Sequence, residues 1–313
     1  MRLLSIAARI AGGLALLALV FWFVGAERLF TSLARTDPAW FAVALAIAIA
    51  SNIVSAMRWA YIARALSLTA PTGRLIPMYA RAMTSNMLLP GATVSGDLLR
   101  SYELSRLGNP LLESTASVAF DRFSGLWTLC VLSFVAAGTA LIAGITLSGA
   151  AAGRHVLLAY GSLLAAIVVM PFIPWPVEWV RRLPFKAAER VADLWRRLND
   201  PATGLKRRLV KSLTLSILVQ FLSATALVAC AASLGAQVPF LIMLAAAAPI
   251  FVMAALPLGV AGFGTRELAA VAVLGLAGVP ADIAAGTGLL YGICAVIQGL
   301  LAAPLFLLPS RRP

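Results

Sequence analysis

The sequence contains few charged residues for its length. Only 12% of its 313 residues are Asp, Glu, Lys or Arg, whereas 61% are hydrophobic. A soluble domain carries about a quarter charged residues, so this composition argues against a soluble protein. It predicts an all-α polytopic membrane protein, folded as a single transmembrane domain over residues 1–313.

Acidic residues are especially scarce. The chain has 12 acidic and 25 basic residues, which gives a net charge of +13. Such a balance is also found in nucleic-acid-binding proteins, but much of the positive charge here flanks apolar runs. That placement is typical of the cytoplasmic ends of membrane helices. We therefore expect no nucleic-acid partner.

The sequence offers little for metal or ATP chemistry. It has one histidine and three cysteines, Cys130, Cys230 and Cys294, which are far apart and lie within apolar runs. Such cysteines are typical of small buried residues rather than disulfides or metal ligands. There is no glycine-rich phosphate loop ending in Lys and Ser or Thr. We expect no cofactor, no metal and no catalytic residue.

Six apolar runs are long enough to cross a bilayer, for which about 20 residues are needed. They are residues 10–26, 38–57, 123–153, 156–177, 212–236 and 283–308. Residues 27–37 are predicted to form a short loop. Basic residues near both chain ends and the even number of spans predict that both termini are cytoplasmic.

Two further stretches break helices inside apolar sequence. Proline removes a helical donor and glycine tolerates unusual backbone angles. Freed backbone groups cannot face hydrocarbon, so both stretches are predicted to be re-entrant hairpins; the alternative is ordinary surface loops. The break residues are Pro90, Gly91 and Gly96 in the first, and Pro257, Gly259, Gly262 and Gly264 in the second.

The order of these segments repeats. Two spans, a hairpin and a span occur once over about residues 10–150 and again over about 155–308. Because the second set begins on the opposite side of the membrane, the sequence predicts an inverted-topology repeat, as in many secondary transporters.

Ionisable residues lie beside both breaks, and charges at membrane depth are usually buried, paired and functional. Four arginines and three acids leave a surplus guanidinium, which suits a phosphate group. We expect Arg100 and Arg266 to converge on one lipid phosphate; the alternative is salt bridges that only anchor helix ends. The predicted substrate-binding residues are Arg81, Asn86, Asp97, Arg100, Asp121, Arg122, Arg266 and Glu267.

The hydrophilic stretch 178–211 is rich in basic residues. Phe185, Val191, Leu194 and Trp195 recur at helical spacing opposite arginines. This pattern predicts a cytoplasmic amphipathic helix that binds anionic inner-leaflet lipids. The alternative is a solvated loop whose helix packs on the bundle.

The order and spacing of these motifs resemble a known family. Arg81, Ser85-Asn86, Pro90-Gly91, Gly96-Asp97, Arg100, Asp121-Arg122 and the stretch from Pro257 to Glu267 are similar to the flippase-like membrane proteins related to the transmembrane region of lysylphosphatidylglycerol synthase. The resemblance covers roughly residues 10–308. It implies a multi-pass protein of the bacterial inner membrane that moves a polar or anionic lipid between leaflets.

The predicted function is therefore lipid transport rather than catalysis, with a membrane lipid as the partner. A phospholipid and a polyprenyl-phosphate-linked lipid both fit this prediction. Two other classes stay open: an integral membrane enzyme that uses Asp97, Asp121 and Glu267 on a lipid-linked substrate, and a membrane assembly or scaffold protein.

Overall fold

A computed structural model describes residues 25–88, 94–143, 204–256 and 261–306, together with Ala18, Trp22, Gly161, Arg196 and Asp200. These residues are all-helical, as predicted, and form nine α-helices and one 3₁₀ turn. The elements are α1 (Ala26–Ala34), α2 (Pro38–Ala65), α3 (Thr72–Leu88), α4 (Val94–Ser105), α5 (Leu111–Ile142), α6 (Leu205–Ser233), α7 (Phe240–Ala255), α8 (Thr265–Leu276), α9 (Ala281–Ala302) and the turn Ala303–Phe306.

Among the residues that the structure describes, four helical segments are long and apolar enough to cross a membrane. They are Pro38–Ala65, Leu111–Ala140, Leu205–Ser233 and Ala281–Phe306. Four of the predicted spans, at 38–57, 123–153, 212–236 and 283–308, are thereby confirmed as candidate spans. Of the predicted spans 10–26 and 156–177, the structure describes only Ala18, Trp22 and Gly161. The amphipathic helix predicted around Phe185 and Trp195 lies outside the described residues, apart from Arg196.

Three of the predicted boundaries were wrong. Helix α6 begins at Leu205, seven residues before the predicted span 212–236 and inside the stretch predicted as a hydrophilic loop. Helix α2 continues past Arg58 to Ala65, and α5 begins at Leu111, so that Asp121 and Arg122 lie within the helix rather than at its start. The reason is tertiary packing. Residues beyond the apolar windows, including Trp59 and Val118, are buried in one hydrophobic cluster, and this packing extends both helices. The start of α2, in contrast, is determined by local interactions. The Asp37 side chain accepts a hydrogen bond from the Ala39 N–H at 2.8 Å, and Pro38 lies in the first turn of the helix.

The predicted loop at residues 27–37 was also wrong. Residues Ala26–Ala34 form α1, a nine-residue amphipathic helix. Its Leu29 is 2% exposed and packs against Ala285 of α9. A short helix of this kind is stabilised by its contact with the bundle rather than by its own propensity, which the charged composition of the segment concealed.

Helices α3 and α4 pack against each other, and so do α7 and α8. Helices α4, α7 and α8 have 12, 16 and 12 residues, fewer than the roughly 20 needed to span a bilayer. The two connections, 89–93 and 257–260, lie outside the described residues, and with them the predicted break residues Pro90, Gly91, Pro257 and Gly259.

The bundle is held together through α6, which contacts α2, α5, α7 and α9. Small residues line the contact with α2, including Ala44, Ala48, Ala226 and Ala229, and let the two helices approach closely. The Ser51 and Ser223 hydroxyls, one on each helix, are 2.9 Å apart and buried. Polar groups therefore lie in the bundle core along this contact, the α2–α6 seam, between the two sites described next.

The three cysteines are buried and free, as predicted.

Candidate functional site

Five charged side chains from three elements form the first arginine cluster: Arg58, Asp97, Arg100, Asp121 and Arg122. Asp121 lies at its centre. Its Oδ1 is 2.9 Å from Arg58 Nε and its Oδ2 is 3.0 Å from Arg100 NH1. Arg58, Arg100 and Asp121 are 5%, 1% and 1% exposed. Helices α2, α4 and α5 are therefore joined at this point by a fully buried ionic network.

Aromatic rings contact the guanidinium group of Arg100, in addition to the carboxylates that bind its N–H groups. Its guanidinium carbon lies 4.8 Å from the ring centroid of Trp59 and 4.8 Å from that of Tyr79. The Trp59 indole N–H in turn donates to Ser117 at 3.1 Å, which fixes the ring. Cation–π contacts gain strength where the cation is desolvated. Arg100 is thus the most rigidly positioned cation of the cluster.

Asp97 and Arg122 form the accessible side of the cluster. Asp97 accepts from Arg100 at 3.0 Å and from Arg122 at 2.8–3.0 Å through both of its oxygens. The Arg122 side chain is 43% exposed and that of Asp97 is 24% exposed. Three guanidinium groups thus share two carboxylates, and the surplus positive charge lies where the cluster opens.

Arg81 forms a separate pair beside this cluster. Its Nε lies 2.8 Å from Glu103 Oε1, and its NH2 donates to Glu103 Oε2 at 3.0 Å. Glu103 lies outside the four candidate spans. Burial raises the pKa of its carboxyl, and the hydrogen bond and positive charge of Arg81 oppose that effect. The pair joins the middle of α3 to the end of α4.

Asn86, near the end of α3, accepts hydrogen bonds from the first turn of α4. Its Oδ1 accepts from the Gly96 N–H at 2.7 Å and from Ser95 Oγ at 3.2 Å. A Cβ atom on Gly96 would lie 2.5 Å from the Ala82 carbonyl oxygen and 2.6 Å from Asn86 Oδ1. Glycine is therefore needed here for the close approach of α4 to α3, which sets the position of Asp97 one residue later.

Arg266 is the centre of the second arginine cluster, defined by Phe263, Arg266, Glu267, Gly288 and Gly292. Arg266 is 5% exposed, and its NH2 donates to the Ala261 carbonyl at 2.9 Å. Its guanidinium lies 5.5 Å from the Phe263 ring centroid. Within the described residues, Nε and NH1 have no hydrogen-bond partner. Arg266 thus differs from Arg100: both side chains are buried, but two nitrogens of Arg266 have no described hydrogen-bond acceptor.

Glu267 does not pair with Arg266 in the described part of the chain. Its Oε2 accepts from the Gly264 N–H at the start of α8, and its Oε1 is buried without a described partner. Helix α9 packs closely against both residues at two of its glycines. A Cβ on Gly288 would meet the Glu267 backbone at 3.2 Å, and one on Gly292 would collide with Arg266 NH1. The break residues Gly262 and Gly264 adopt φ of 77° and 88°, which favours glycine.

The two clusters lie along one helix. Ser216 of α6 accepts from Arg58 at 3.2 Å, and Cys230 of the same helix packs in one hydrophobic cluster with Tyr291 and Cys294 of α9, which lie on either side of Gly292 in the sequence. Arg100 and Arg266, which the sequence analysis expected at one phosphate, share no partner among the described residues.

The structure brings Asp97, Arg100, Asp121 and Arg122 together and adds residues that sequence reasoning missed. Arg58 directly follows the apolar run 38–57, where the sequence predicts a cytoplasmic helix end, and the predicted site does not include Trp59, Tyr79 or Glu103. A weak signal was available, because Arg58 and Trp59 directly follow an uncharged run and α2 repeats Ser51, Ser55 and Arg58 on one face.

Within the residues that the structure describes, no group of three or more His, Cys, Asp or Glu could hold a metal ion.

The fold and these clusters define the class: an all-helical integral membrane protein with buried arginine networks between its spans. The chain belongs to the family described as "Lysylphosphatidylglycerol synthase TM region", whose model matches residues 6–303. It is also 28% identical over 111 residues to a "UPF0104 membrane protein" of Methanothermobacter thermautotrophicus. That match covers 35% of this chain and 33% of the relative, so the similarity extends over a third of the relative's length.

Proposed function

We propose that this protein is a lipid transporter that moves an anionic lipid headgroup between the leaflets of the bacterial inner membrane. The observation that carries the proposal is the charge balance of the first arginine cluster. Three arginines face two aspartates, and the surplus lies at Arg122, the most exposed of the three. A planar guanidinium with free donors suits a phosphate, which it can bind through two hydrogen bonds.

Asp97 is the carboxylate that a phosphate would replace. It bridges Arg100 and Arg122, and it is more exposed than Asp121. In the empty protein its charge compensates both arginines. When lipid binds, the phosphate takes its place on Arg122, while Asp121 keeps Arg58 and Arg100 paired. The exchange avoids leaving a buried cation without a counter-charge, which would be costly at membrane depth.

Arg266 serves as a second station for the same headgroup. Its guanidinium has donors without a described partner, and a buried arginine of this kind is stabilised by an anion. Arg100 and Arg266 bind different partners among the described residues, which favours two separate stations over one shared phosphate. Lipid tails stay in the bilayer while the headgroup moves between the two stations.

The proposal includes the predicted topology. Among the described helices, a span, a helix pair and a span occur twice: α2, α3–α4, α5 and then α6, α7–α8, α9. This order and the shortness of α4, α7 and α8 support two re-entrant hairpins within inverted repeats. The basic loop at 178–211 would lie on the cytoplasmic side with both termini and bind anionic lipids of that leaflet.

The experiment that tests the function is reconstitution of the purified protein in liposomes that carry a headgroup-labelled fluorescent phosphatidylglycerol. Addition of dithionite to the outside bleaches only outer-leaflet probe. A transporter exposes inner-leaflet probe over time, and mass spectrometry of the extracted lipid finds it unchanged. Chemical conversion of the probe would favour the membrane enzyme. Neither transport nor conversion, for phosphatidylglycerol and a polyprenyl phosphate alike, would favour a scaffold and contradict the proposal.

A further inference from the structure

An apolar groove runs between α2, α3 and α9 at membrane depth. Its volume is about 220 Å³, larger than the roughly 150 Å³ apolar cavity that holds a benzene ring. It is smaller than the roughly 300–1,000 Å³ of pockets for whole small molecules. The groove therefore fits one hydrocarbon chain rather than a complete headgroup. Its apolar lining includes Ile49, Ile53, Ile76, Met83, Leu301 and Leu305.

The groove is closed at one end. Beyond Met83, Thr84 donates to the Gly299 carbonyl at 2.7 Å, and a Cβ on Gly299 would lie 3.2 Å from Met87 Sδ. Helices α3 and α9 thus touch just past the groove. From Ile76 to Met83 the helix rises about 10 Å, which sets the length of the chain segment that can be held.

The two amide side chains in the lining, Asn52 and Gln298, already have hydrogen-bond partners. Asn52 donates to Gln298 Oε1 at 2.8 Å and to the Ala48 carbonyl at 3.2 Å, and Gln298 donates to the Cys294 carbonyl at 3.1 Å. With these donors engaged, hydrocarbon can lie against them without breaking a hydrogen bond.

Two arginines lie beside the groove, each already paired with a carboxylate. Arg81 NH1 donates to the carbonyl of Leu305, a lining residue, at 3.4 Å, which is longer than the roughly 2.7–3.2 Å of an ordinary N–H···O bond. Tyr79, another lining residue, contacts Arg100. A tail in the groove would therefore bring an attached phosphate close to a weakly engaged arginine donor.

We propose that the groove binds one acyl chain of an anionic glycerophospholipid, whose phosphate is held by Arg81. This inference rests on the proposed function and names its substrate class. The apolar lining accounts for the chain, and Arg81 accounts for the anionic headgroup. Bound here, the lipid has its headgroup on the α3–α4 pair, next to the first arginine cluster.

The test is photolabelling of the full-length purified protein by phosphatidylglycerol with a diazirine in one acyl chain, in phosphatidylcholine vesicles. Labelled peptides, identified by mass spectrometry, are expected from α2, α3 and α9. Filling the groove by Ala80→Trp should lower this labelling about tenfold, the equivalent of about two methylene groups no longer buried. Ala272→Trp, on an exposed alanine of α8, is the matched control and should leave labelling unchanged.

A graded series, Ala80→Val, Ala80→Leu and Ala80→Trp, keeps the test valid if the largest side chain prevents folding, because labelling should fall with each step in volume. Arg81→Gln should reduce labelling by phosphatidylglycerol but not by a diacylglycerol that carries the same diazirine chain and no phosphate. Unchanged labelling across the Ala80 series, or stronger groove labelling by a polyprenyl phosphate probe, would overturn the proposal. Lost transport with groove labelling intact would instead contradict the proposed function alone.

Discussion

Arg100 and Asp121 form a salt bridge with an N–O distance of 3.0 Å between two side chains that are each 1% exposed. The bond joins α4 to the first half of the span α5. Asp121 also binds Arg58 of α2, so one carboxylate fixes three elements. Its partners, rather than its own chemistry, explain why an acid lies inside an apolar helix.

Asp121→Asn should destabilise the protein strongly. It leaves Arg58 and Arg100 buried without a full counter-charge, and breaking a buried pair costs about 3–5 kcal/mol. The measurement is the midpoint of thermal unfolding in detergent, together with the yield of folded protein. Glu27→Gln, at an exposed position of α1, is the control and should change neither. An unfolding midpoint equal to that of wild type would mean that Asp121 does not hold the cluster together.

Arg100→Lys should leave the protein folded but reduce lipid transport. Lysine keeps the charge yet lacks the fork that reaches Asp97 and Asp121 and the flat face that contacts Trp59 and Tyr79. Arg100 positions Asp97 beside Arg122, so weakening that contact by one charge-assisted hydrogen bond predicts a decrease of about tenfold to a hundredfold in the transport rate. Rates are measured in liposomes at equal protein content. A rate within twofold of wild type would show that the geometry at Arg100 is unimportant.

Gly292→Ala should disrupt the second arginine cluster. The added methyl group collides with Arg266 NH1 and lies 2.8 Å from the Phe263 ring. We expect reduced transport and a lower unfolding midpoint. Gly138→Ala is the matched control, because no atom lies within 4 Å of its new Cβ and alanine favours a helix by up to about 1 kcal/mol. Equal behaviour of the two variants would contradict the tight packing of α9 on Arg266.

Cysteine labelling tests the topology. The three native cysteines are buried, so a membrane-impermeant maleimide should report mainly on introduced sites. Ser67→Cys, between α2 and α3, should be labelled only after the membrane is permeabilised. Gln237→Cys, between α6 and α7, should be labelled in intact spheroplasts. Both wild-type residues are exposed. Labelling of both sites from the same side would rule out the proposed arrangement of the repeats.

The sequence predicted the spans better than their ends. Apolar runs are local signals, so four spans could be read from composition and length. The continuation of α2 past Arg58 and of α5 back to Leu111 depends on burial within the bundle, where polar residues face protein instead of lipid. That information is tertiary and is not present in a window of apolar residues. The helix at Ala26–Ala34 was missed for the same reason.

The candidate site was predicted in part. Charges beside helix breaks pointed to Asp97, Arg100, Asp121 and Arg122, because an ionisable residue in apolar sequence needs a buried partner. Nothing in the sequence indicated that Arg58 pairs with Asp121, which lies 63 positions away. It also could not separate Arg100 from Arg266, since their positions relative to each other depend on how α6 packs between the two halves.

The central claim is that the accessible charge of the first arginine cluster binds and carries an anionic headgroup. Its most direct test is the initial rate at which liposome-reconstituted protein moves phosphatidylglycerol relative to phosphatidylcholine, compared for wild type, Arg122→Lys and Arg122→Gln. The account predicts a preference for phosphatidylglycerol in wild type, its partial retention in Arg122→Lys and its loss in Arg122→Gln. Equal rates for the two lipids in wild type, or an unchanged preference in Arg122→Gln, would contradict it.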